Sequence, residues 1–199
     1  MTALAVLFAA LAPVPLAAPQ ALISIQDYPE FALDRGEEGS VATQLVVDPK
    51  GRVDSCKVII SSGFADLDTA TCRLLTSRAR FSPARAEDGR PIYGLYRSLI
   101  NWSVDRNKRA ALGPDAELTL NQAPPGTSLP ADVWVSYIVE PSGAISNCKA
   151  DGGAPAAPKQ LVSLACQQLS RAPAEVIRNS SGQAVEASDT VKVRFNTNR

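Results

Sequence analysis

The sequence predicts an α+β fold made of two small strand-strand-helix-strand units, each an antiparallel sheet with one helix on a face. The first observation behind this prediction is that two similar stretches occur in the chain, VDPKGRVDSCK at 47–57 and VEPSGAISNCK at 139–149. Apolar residues alternate before each copy, and an amphipathic segment carrying a cysteine follows each copy. We therefore interpret the chain as an internal repeat, in which Val41 aligns with Val133 and Cys56 with Cys148.

The composition excludes several classes of function. The 199 residues are 45% hydrophobic and 20% charged, which is typical of a folded soluble protein. Twenty basic and twenty acidic residues cancel, so a nucleic-acid partner is not expected. The chain has no histidine, the commonest general base and metal ligand. No phosphate-binding loop or catalytic triad is present, so we predict no catalytic residue, no metal site, no cofactor and no enzymatic activity.

The N-terminus carries an apolar run from Ala3 to Ala12, followed by small residues and prolines. This run is shorter than the roughly 20 residues of a membrane span and fits a secretory signal. We assign residues 1–21 as a signal peptide that is removed on export. The alternatives are an uncleaved membrane anchor and an apolar start without a targeting role.

The first unit opens with a hairpin. Apolar residues alternate from Val41 to Val47, the period of a half-buried strand. Asp-Pro-Lys-Gly at 48–51 then predicts a turn, because proline presets the backbone and glycine accepts a positive φ. The second strand is expected over 52–61, with Cys56 on its core face.

A helix and a last strand complete each unit. Asp66 is predicted to cap a helix over 67–80, which places Cys72 on the apolar side. The last strand is expected over 91–104. In the second unit the corresponding strand, helix and last strand are predicted at 133–139, 159–170 and 184–195. Residues 105–130, rich in turn formers and polar residues, are interpreted as a linker.

The four cysteines should form one disulfide in each unit. Strand and helix place Cys56 beside Cys72 and Cys148 beside Cys166, and the repeat selects this pairing from the three that are arithmetically available. The alternatives are buried thiols, and redox or metal chemistry, for which no Cys-x-x-Cys motif is present.

The first unit resembles the C-terminal domain of the TonB family of bacterial energy transducers, over residues 27–104. The motifs that carry the resemblance are Tyr28-Pro29, Gly39-Ser-Val41, Val47-Asp-Pro-Lys-Gly51-Arg-Val53, Ser61-Ser-Gly63, Leu67-Asp68, Phe81-Ser-Pro83-Ala84 and Asp88-Gly89-Arg-Pro91. The second unit, residues 131–197, resembles the family more faintly and is assigned as a degenerate copy through the repeat.

The resemblance implies a periplasmic domain that recruits a short peptide of an outer-membrane transporter, or another envelope protein, by adding it as a strand to the edge of the last strand. Carried over by position, the residues expected to bind the partner are Tyr93, Gly94, Leu95, Arg97 and Leu99. The alternatives are a membrane-anchored energy transducer, associated with the inner membrane through its N-terminus, and an architectural envelope module in which the two copies hide their edges against each other.

Overall fold

A computed structural model describes residues 12–104, 111–171 and 173–198 of the chain. The strands found there are β1 (Val14–Pro15), β2 (Gly39–Val47), β3 (Val53–Ile60), β4 (Phe81–Ser82), β5 (Ala84–Arg85), β6 (Pro91–Trp102), β7 (Ala116–Leu120), β8 (Ala131–Val139), β9 (Ile145–Ala150) and β10 (Ala187–Thr197). The α-helices are α1 (Glu30–Asp34), α2 (Ala65–Arg78) and α3 (Lys159–Leu169). None of the described helices is long and apolar enough to cross a membrane.

The two halves share one sheet, whose strand order is β3-β2-β6-β10-β8-β9. Within each half the three neighbouring strands are antiparallel, as predicted. The halves meet through a short parallel pairing of β6 with β10, at Tyr93–Ala187 and Gly94–Ser188. The predicted α+β class is confirmed, and the joint between the halves is a feature that periodicity alone does not reveal.

The first hairpin forms as its sequence dictates. The Asp48 carboxylate accepts hydrogen bonds from the backbone N–H groups of Lys50 and Arg52, at 2.8 and 2.9 Å, and so holds the turn. Gly51 has φ +76°, and a Cβ there would lie 1.9 Å from the carbonyl oxygen of Phe81. The turn therefore needs glycine both for its backbone angle and for the close approach of β4.

The predicted cap of α2 is wrong by two residues. The helix begins at Ala65 after Phe64, so Asp66 lies in its first turn, where it binds Arg35 at 2.8 Å. Asp68 provides the acceptor at this end, since its carboxylate receives the N–H and hydroxyl of Ser62 at 2.9 and 2.8 Å. Carboxylates in the first turn remain favourable there because of the helix dipole.

The two helices lie on opposite faces of the sheet. Leu45 and Tyr96 are cross-strand partners and pack in the cluster beneath α2. The next pair along the strands, Val46 and Leu95, packs instead in the cluster beneath α3. Because successive strand residues point to opposite faces, the second half buries part of the face of the first-half sheet that α2 leaves open.

The segment before α1 packs against the first half. Pro13 is buried, the Leu16 N–H donates to the Arg80 carbonyl oxygen at 2.8 Å, and Asp27 binds Arg78 at 2.6 Å. The predicted signal peptide covers part of this segment, while residues 1–11 lie outside the described residues. Signal cleavage stays a prediction.

The predicted linker contains β7, a strand of five residues that pairs in parallel with β10 from Val193 to Thr197. The beginning of the linker, at 105–110, lies outside the described residues. The domain boundaries at 27–104, 105–130 and 131–197 stay predictions.

Candidate functional site

The site predicted from the sequence is one edge of β6. The other edge of β6 pairs with β2 from Gly39–Trp102 to Val47–Gly94. The Asn101 N–H donates to Oε1 of Gln20 at 2.8 Å and so points away from β2. Because backbone N–H groups alternate between the two edges of a strand, those of Tyr93, Leu95, Arg97 and Leu99 point the same way.

Strand β10 covers the first part of this edge. Tyr93 and Gly94 pair with Ala187 and Ser188, so the edge that was expected to accept a partner is occupied by the chain itself at these two residues. Gly94 is required by packing, since a Cβ at this position would lie 2.7 Å from Cδ of Pro13 and 2.9 Å from Cβ of Ala84. Gly94, which was expected to bind the partner, thus lies against segments of its own chain.

Arg97 lies on β6 three residues after its last paired residue with β10, Gly94. Its guanidinium binds the Asp189 carboxylate at 2.7 and 3.1 Å and donates to the Thr190 carbonyl oxygen at 2.9 Å. Its Nε lies 3.2 Å from Oδ1 of Asp115. The Tyr137 hydroxyl donates to Asp189 from the other side at 2.9 Å. A cation of the first half is thereby held by two carboxylates from the second half and the linker.

The electrostatics of this cluster follow from its burial. Asp189 is 5% exposed and Tyr137 also 5%. Burial alone would lower the pKa of Arg97, but the hydrogen bonds and charge of Asp189 raise it above the ordinary arginine value. Burial, assisted by the Asp189 charge, raises the pKa of the Tyr137 hydroxyl. At neutral pH the cluster therefore contains a charged guanidinium and a neutral phenol.

The two remaining predicted residues lie in different surroundings. Leu95 is 4% exposed and belongs to the core of the second half. Leu99 is half-buried, and both Leu99 and Ile60 are cross-strand partners of Ala42. Since Ile60 is 59% exposed, Leu99 lies in an apolar row on the accessible part of the sheet face. Of the five, Leu99 is best placed to contact a partner.

The corresponding edge of β10 carries a strand that the sequence analysis did not predict. Lys192 donates its N–H to the Asp115 carboxylate at 2.7 Å and accepts from the Asp115 N–H at 2.8 Å. The ladder continues through β7, and the Asn198 N–H reaches the Leu120 carbonyl oxygen at 3.2 Å. The alternation in Ala-Glu-Leu-Thr-Leu at 116–120 is the signal from which this strand could have been predicted.

In each half, one disulfide links the long helix to the second strand. Cys56 bonds to Cys72 and Cys148 to Cys166, with a Cα–Cα distance of 5.6 Å in both. These are the predicted pairs. The described cysteine, aspartate and glutamate side chains form no group of three that could hold a metal ion.

The comparisons with known proteins concern the half that contains β6. Residues 25–104 match the family model described as the Gram-negative bacterial TonB protein C-terminal. The matched region covers fewer than half of the residues of the chain and ends two residues after β6. The match to the TonB C-terminal family model thus lies in the first half of the chain.

Curated relatives are similar over a shorter stretch. "Protein TonB" of Neisseria meningitidis serogroup C is 42% identical over 43 residues, which is 22% of this chain and 16% of that protein. "Protein TonB" of Neisseria gonorrhoeae is 44% identical over 43 residues, 22% of this chain and 15% of that protein. The chain therefore spans about a sixth of the length of these relatives.

Proposed function

We propose that the first half is a TonB-like domain that takes part in TonB-dependent transport, by binding an extended periplasmic segment of an outer-membrane transporter or another envelope protein. The segment is added as a strand to β6. One observation carries the proposal: in the described part of the chain, no strand pairs with this edge of β6 beyond Gly94. The role is non-enzymatic, and affinity comes from backbone hydrogen bonds.

The groups available to a guest strand are those of Arg97 and Leu99, whose N–H groups point to this edge by the alternation anchored at Asn101. Leu99 gives the guest an apolar contact on the accessible face. The Gln20 side chain, which accepts from Asn101, must move if the guest extends that far.

The orientation of the guest follows from the second half. There β7 adds to β10 in parallel, and β10 occupies in its half the position that β6 occupies in the first. We therefore expect the guest to run parallel to β6, with its side chains alternating between the two faces of the sheet.

Export to the periplasm and the origin of the second half as a degenerate TonB-like copy are parts of the same proposal. The same strand-strand-helix-strand order, the equivalent disulfide and the equivalent hairpin glycine support this origin. An architectural role is the second candidate. The observation that favours it is the pairing of β10 with Tyr93 and Gly94, reinforced by the Arg97–Asp189 ion pair.

A proline at position 99 tests the proposal. Leu99→Pro removes an N–H that faces the open edge and leaves the ladder to β2 complete, so we expect at least about a tenfold loss of affinity for the guest. The probe is a synthetic peptide copying the periplasmic segment of a TonB-dependent transporter, with binding measured by fluorescence polarisation. Proline at Leu95, by contrast, would disturb the core of the second half, because Leu95 is buried there.

The matched control is Leu99→Ala, which keeps the backbone donor and should change affinity by less than about threefold. Equal binding by the proline and alanine variants would exclude strand addition at this edge. Guest binding should also slow amide exchange in residues 97–101.

A further inference from the structure

We propose that the edge of β10 is a second strand-accepting site, for extended peptides with an apolar residue at every second position, and that β7 fills it in the resting chain. The site is distinct from the edge of β6 and does not depend on guest binding there. Its occupant is visible in the structure as a segment of the same chain.

The site is defined by the backbone groups of β10 that face β7. Lys192 bonds Asp115 through both its N–H and its carbonyl, and the Asn198 N–H bonds Leu120. By alternation, the N–H groups of Arg194 and Asn196 point to the same edge. Four donors in a row therefore offer an extended peptide a continuous ladder.

The acceptor persists when β7 leaves. On its other edge, β10 pairs with β8 from Ala187–Val139 to Phe195–Ala131. Val193 is 1% exposed and Phe195 0%, so β10 is fixed in the core of the second half. The site is thus preformed and needs no refolding to receive a different strand.

The occupant is held less firmly. Ala116, Leu118 and Leu120 are half-buried, and Glu117 and Thr119 are exposed. The flanking residues Gly113 and Pro114 on one side, and 121–130 on the other, have no regular helix or strand. A short strand between irregular segments has few buried contacts that oppose its release, so it opens at lower free energy than the core strands.

Asp115, the residue directly before β7, connects this strand to the first half through an ion pair. The Asp115 carboxylate accepts from the Lys192 N–H through one oxygen and lies 3.2 Å from Nε of Arg97 through the other. Arg97 also belongs to the edge of β6 that is proposed to bind a transporter peptide. A change in the position of Arg97 would therefore weaken the hold on β7.

The pattern of β7 defines the guest chemistry. An acidic residue comes first and meets Arg97 and the Lys192 amide, and apolar residues follow at every second position toward the core under α3. A guest that displaces β7 should carry a carboxylate followed by this alternation.

A loop replacement opens the site in the full chain. Residues 116–120 are replaced by Gly-Ser-Gly-Ser-Gly, and the labelled peptide PDAELTLNQ, which copies residues 114–122, is titrated into both chains. The loop variant should bind it about 100-fold more tightly than the native chain, where the tethered strand competes at a high effective concentration. A scrambled peptide, PDLLAETNQ, keeps the composition but loses the alternation, and should bind neither chain.

A second variant guards against misfolding of the first. Asp115→Asn keeps the strand and removes the charge that faces Arg97, so PDAELTLNQ should bind it at least about threefold more tightly than the native chain. In either variant, bound peptide should protect the amides of Lys192, Arg194 and Asn196 from exchange.

The outcomes distinguish this site from the edge of β6. Affinity equal to that of the native chain in both variants would overturn the second site. Protection confined to residues 97–101 would also overturn it and leave the proposed function of β6 intact. Loss of transporter-peptide binding to β6, with retained PDAELTLNQ binding to the loop variant, would overturn the proposed function alone.

Discussion

The last strands of the two halves, β6 and β10, each have one edge that the other strands of their own half do not pair with. This edge is completed differently in the two halves. Register makes them equivalent, since Ile100 of β6 is opposite Val41 and Val193 of β10 is opposite Val133. On β10 the outward backbone groups after this joint are paired by β7, whereas on β6 the Asn101 N–H is bonded by the side chain of Gln20.

The difference shows that a strand-strand-helix-strand unit leaves one edge of its last strand for something else to complete. Backbone polar groups at such an edge must find water, a side chain or another strand. The second half uses strand β7 for this, and the first half uses the side chain of Gln20 at Asn101. This is the physical basis for expecting different binding behaviour from two similar units.

Removing the cation at the joint should have the largest effect. Arg97→Ala leaves Asp189 buried without its partner, and we expect the free energy of unfolding to fall by about 3–5 kcal/mol. The control is Arg90→Ala, whose partner Glu186 also crosses the joint at 2.7 Å but is more exposed. That loss should be much smaller, because an exposed ion pair contributes little to stability. Equal losses in urea denaturation would show that burial of the ion pair does not hold the halves together.

The hairpin glycines allow a matched test of packing. Gly51→Ala adds a Cβ 1.9 Å from the Phe81 carbonyl oxygen, whereas Gly143→Ala adds one 3.0 Å from the Ala174 carbonyl oxygen, and both have a positive φ. We expect losses of about 2–5 kcal/mol for Gly51 and about 1–2 kcal/mol for Gly143. Thermal unfolding of both variants measures this. A larger loss at Gly143 would contradict the closer packing of the first turn.

The disulfides should contribute nearly equally. They close segments with sequence separations of 16 and 18 residues, so removing either pair, by Cys56→Ser with Cys72→Ser or by Cys148→Ser with Cys166→Ser, should cost about 3 kcal/mol. Denaturation of the two double variants under non-reducing conditions is the measurement. A difference above about 2 kcal/mol would mean that strain or residual structure, and not loop closure, governs one of them.

Acid should destabilise the first half before the second. The loss of stability should be smaller than in the preceding predictions, because the partner arginines are exposed. The Arg78 hydrogen bond lowers the pKa of Asp27, and burial, which would raise the pKa values of Asp48 and Asp68, is outweighed there by donated hydrogen bonds. Such carboxylates stabilise the fold above the unfolded-state pKa of about 3.9, and this contribution is lost as pH falls toward the folded-state pKa.

In the second half, the hydrogen bonds of Arg194 first and Lys192 next lower the pKa of Asp132. Each half contains one tryptophan, Trp102 and Trp134, so Trp134→Phe and Trp102→Phe variants report on one half each. Below about pH 4 the Trp102 signal should change first. A simultaneous change would mean that the shared sheet unfolds as one unit.

The smallest effect concerns Gln20. Gln20→Ala removes the acceptor of the Asn101 N–H, so stability should fall by about 1 kcal/mol while affinity for a guest on β6 rises. Gln20→Glu keeps an acceptor oxygen and should behave like the native chain in both assays. If guest affinity is the same for all three chains, Gln20 does not restrict access to the edge.

Much of the local structure could be predicted from the residues. Asp-Pro-Lys-Gly specified its turn through a proline, a glycine and a carboxylate that bonds its own backbone. The alternation from Val41 to Val47 correctly predicted a strand, but not its burial: Val46, on the face opposite Leu45, is buried as well because the second half packs against it. The predicted cap at Asp66 was wrong, because the helix begins one residue earlier, at Ala65, and no side chain caps it; the Asp66 carboxylate binds Arg35 instead.

The candidate site was harder to predict, because its state depends on distant residues. Arg97 lies on the predicted last strand of the first unit, but its partners are Asp115 and Asp189, which belong to later segments of the chain. Leu95 was expected to contact a partner, but it is buried in the core because the second half lies against it. Alternation in 116–120 indicated a strand, but nothing local to that segment specifies which strand accepts it.

The sequence by itself determined two hairpins, two helices, two disulfides and the strand whose edge is proposed to bind a partner, because turn chemistry, side-chain periodicity and cysteine spacing act over a few residues. Only the tertiary structure decided that the halves join in one sheet, that β10 closes the first part of the edge of β6, and that β7 closes the edge of β10. Strand pairing is made by backbone groups that are alike in every residue, so the choice of partner depends on which surfaces the whole chain buries together.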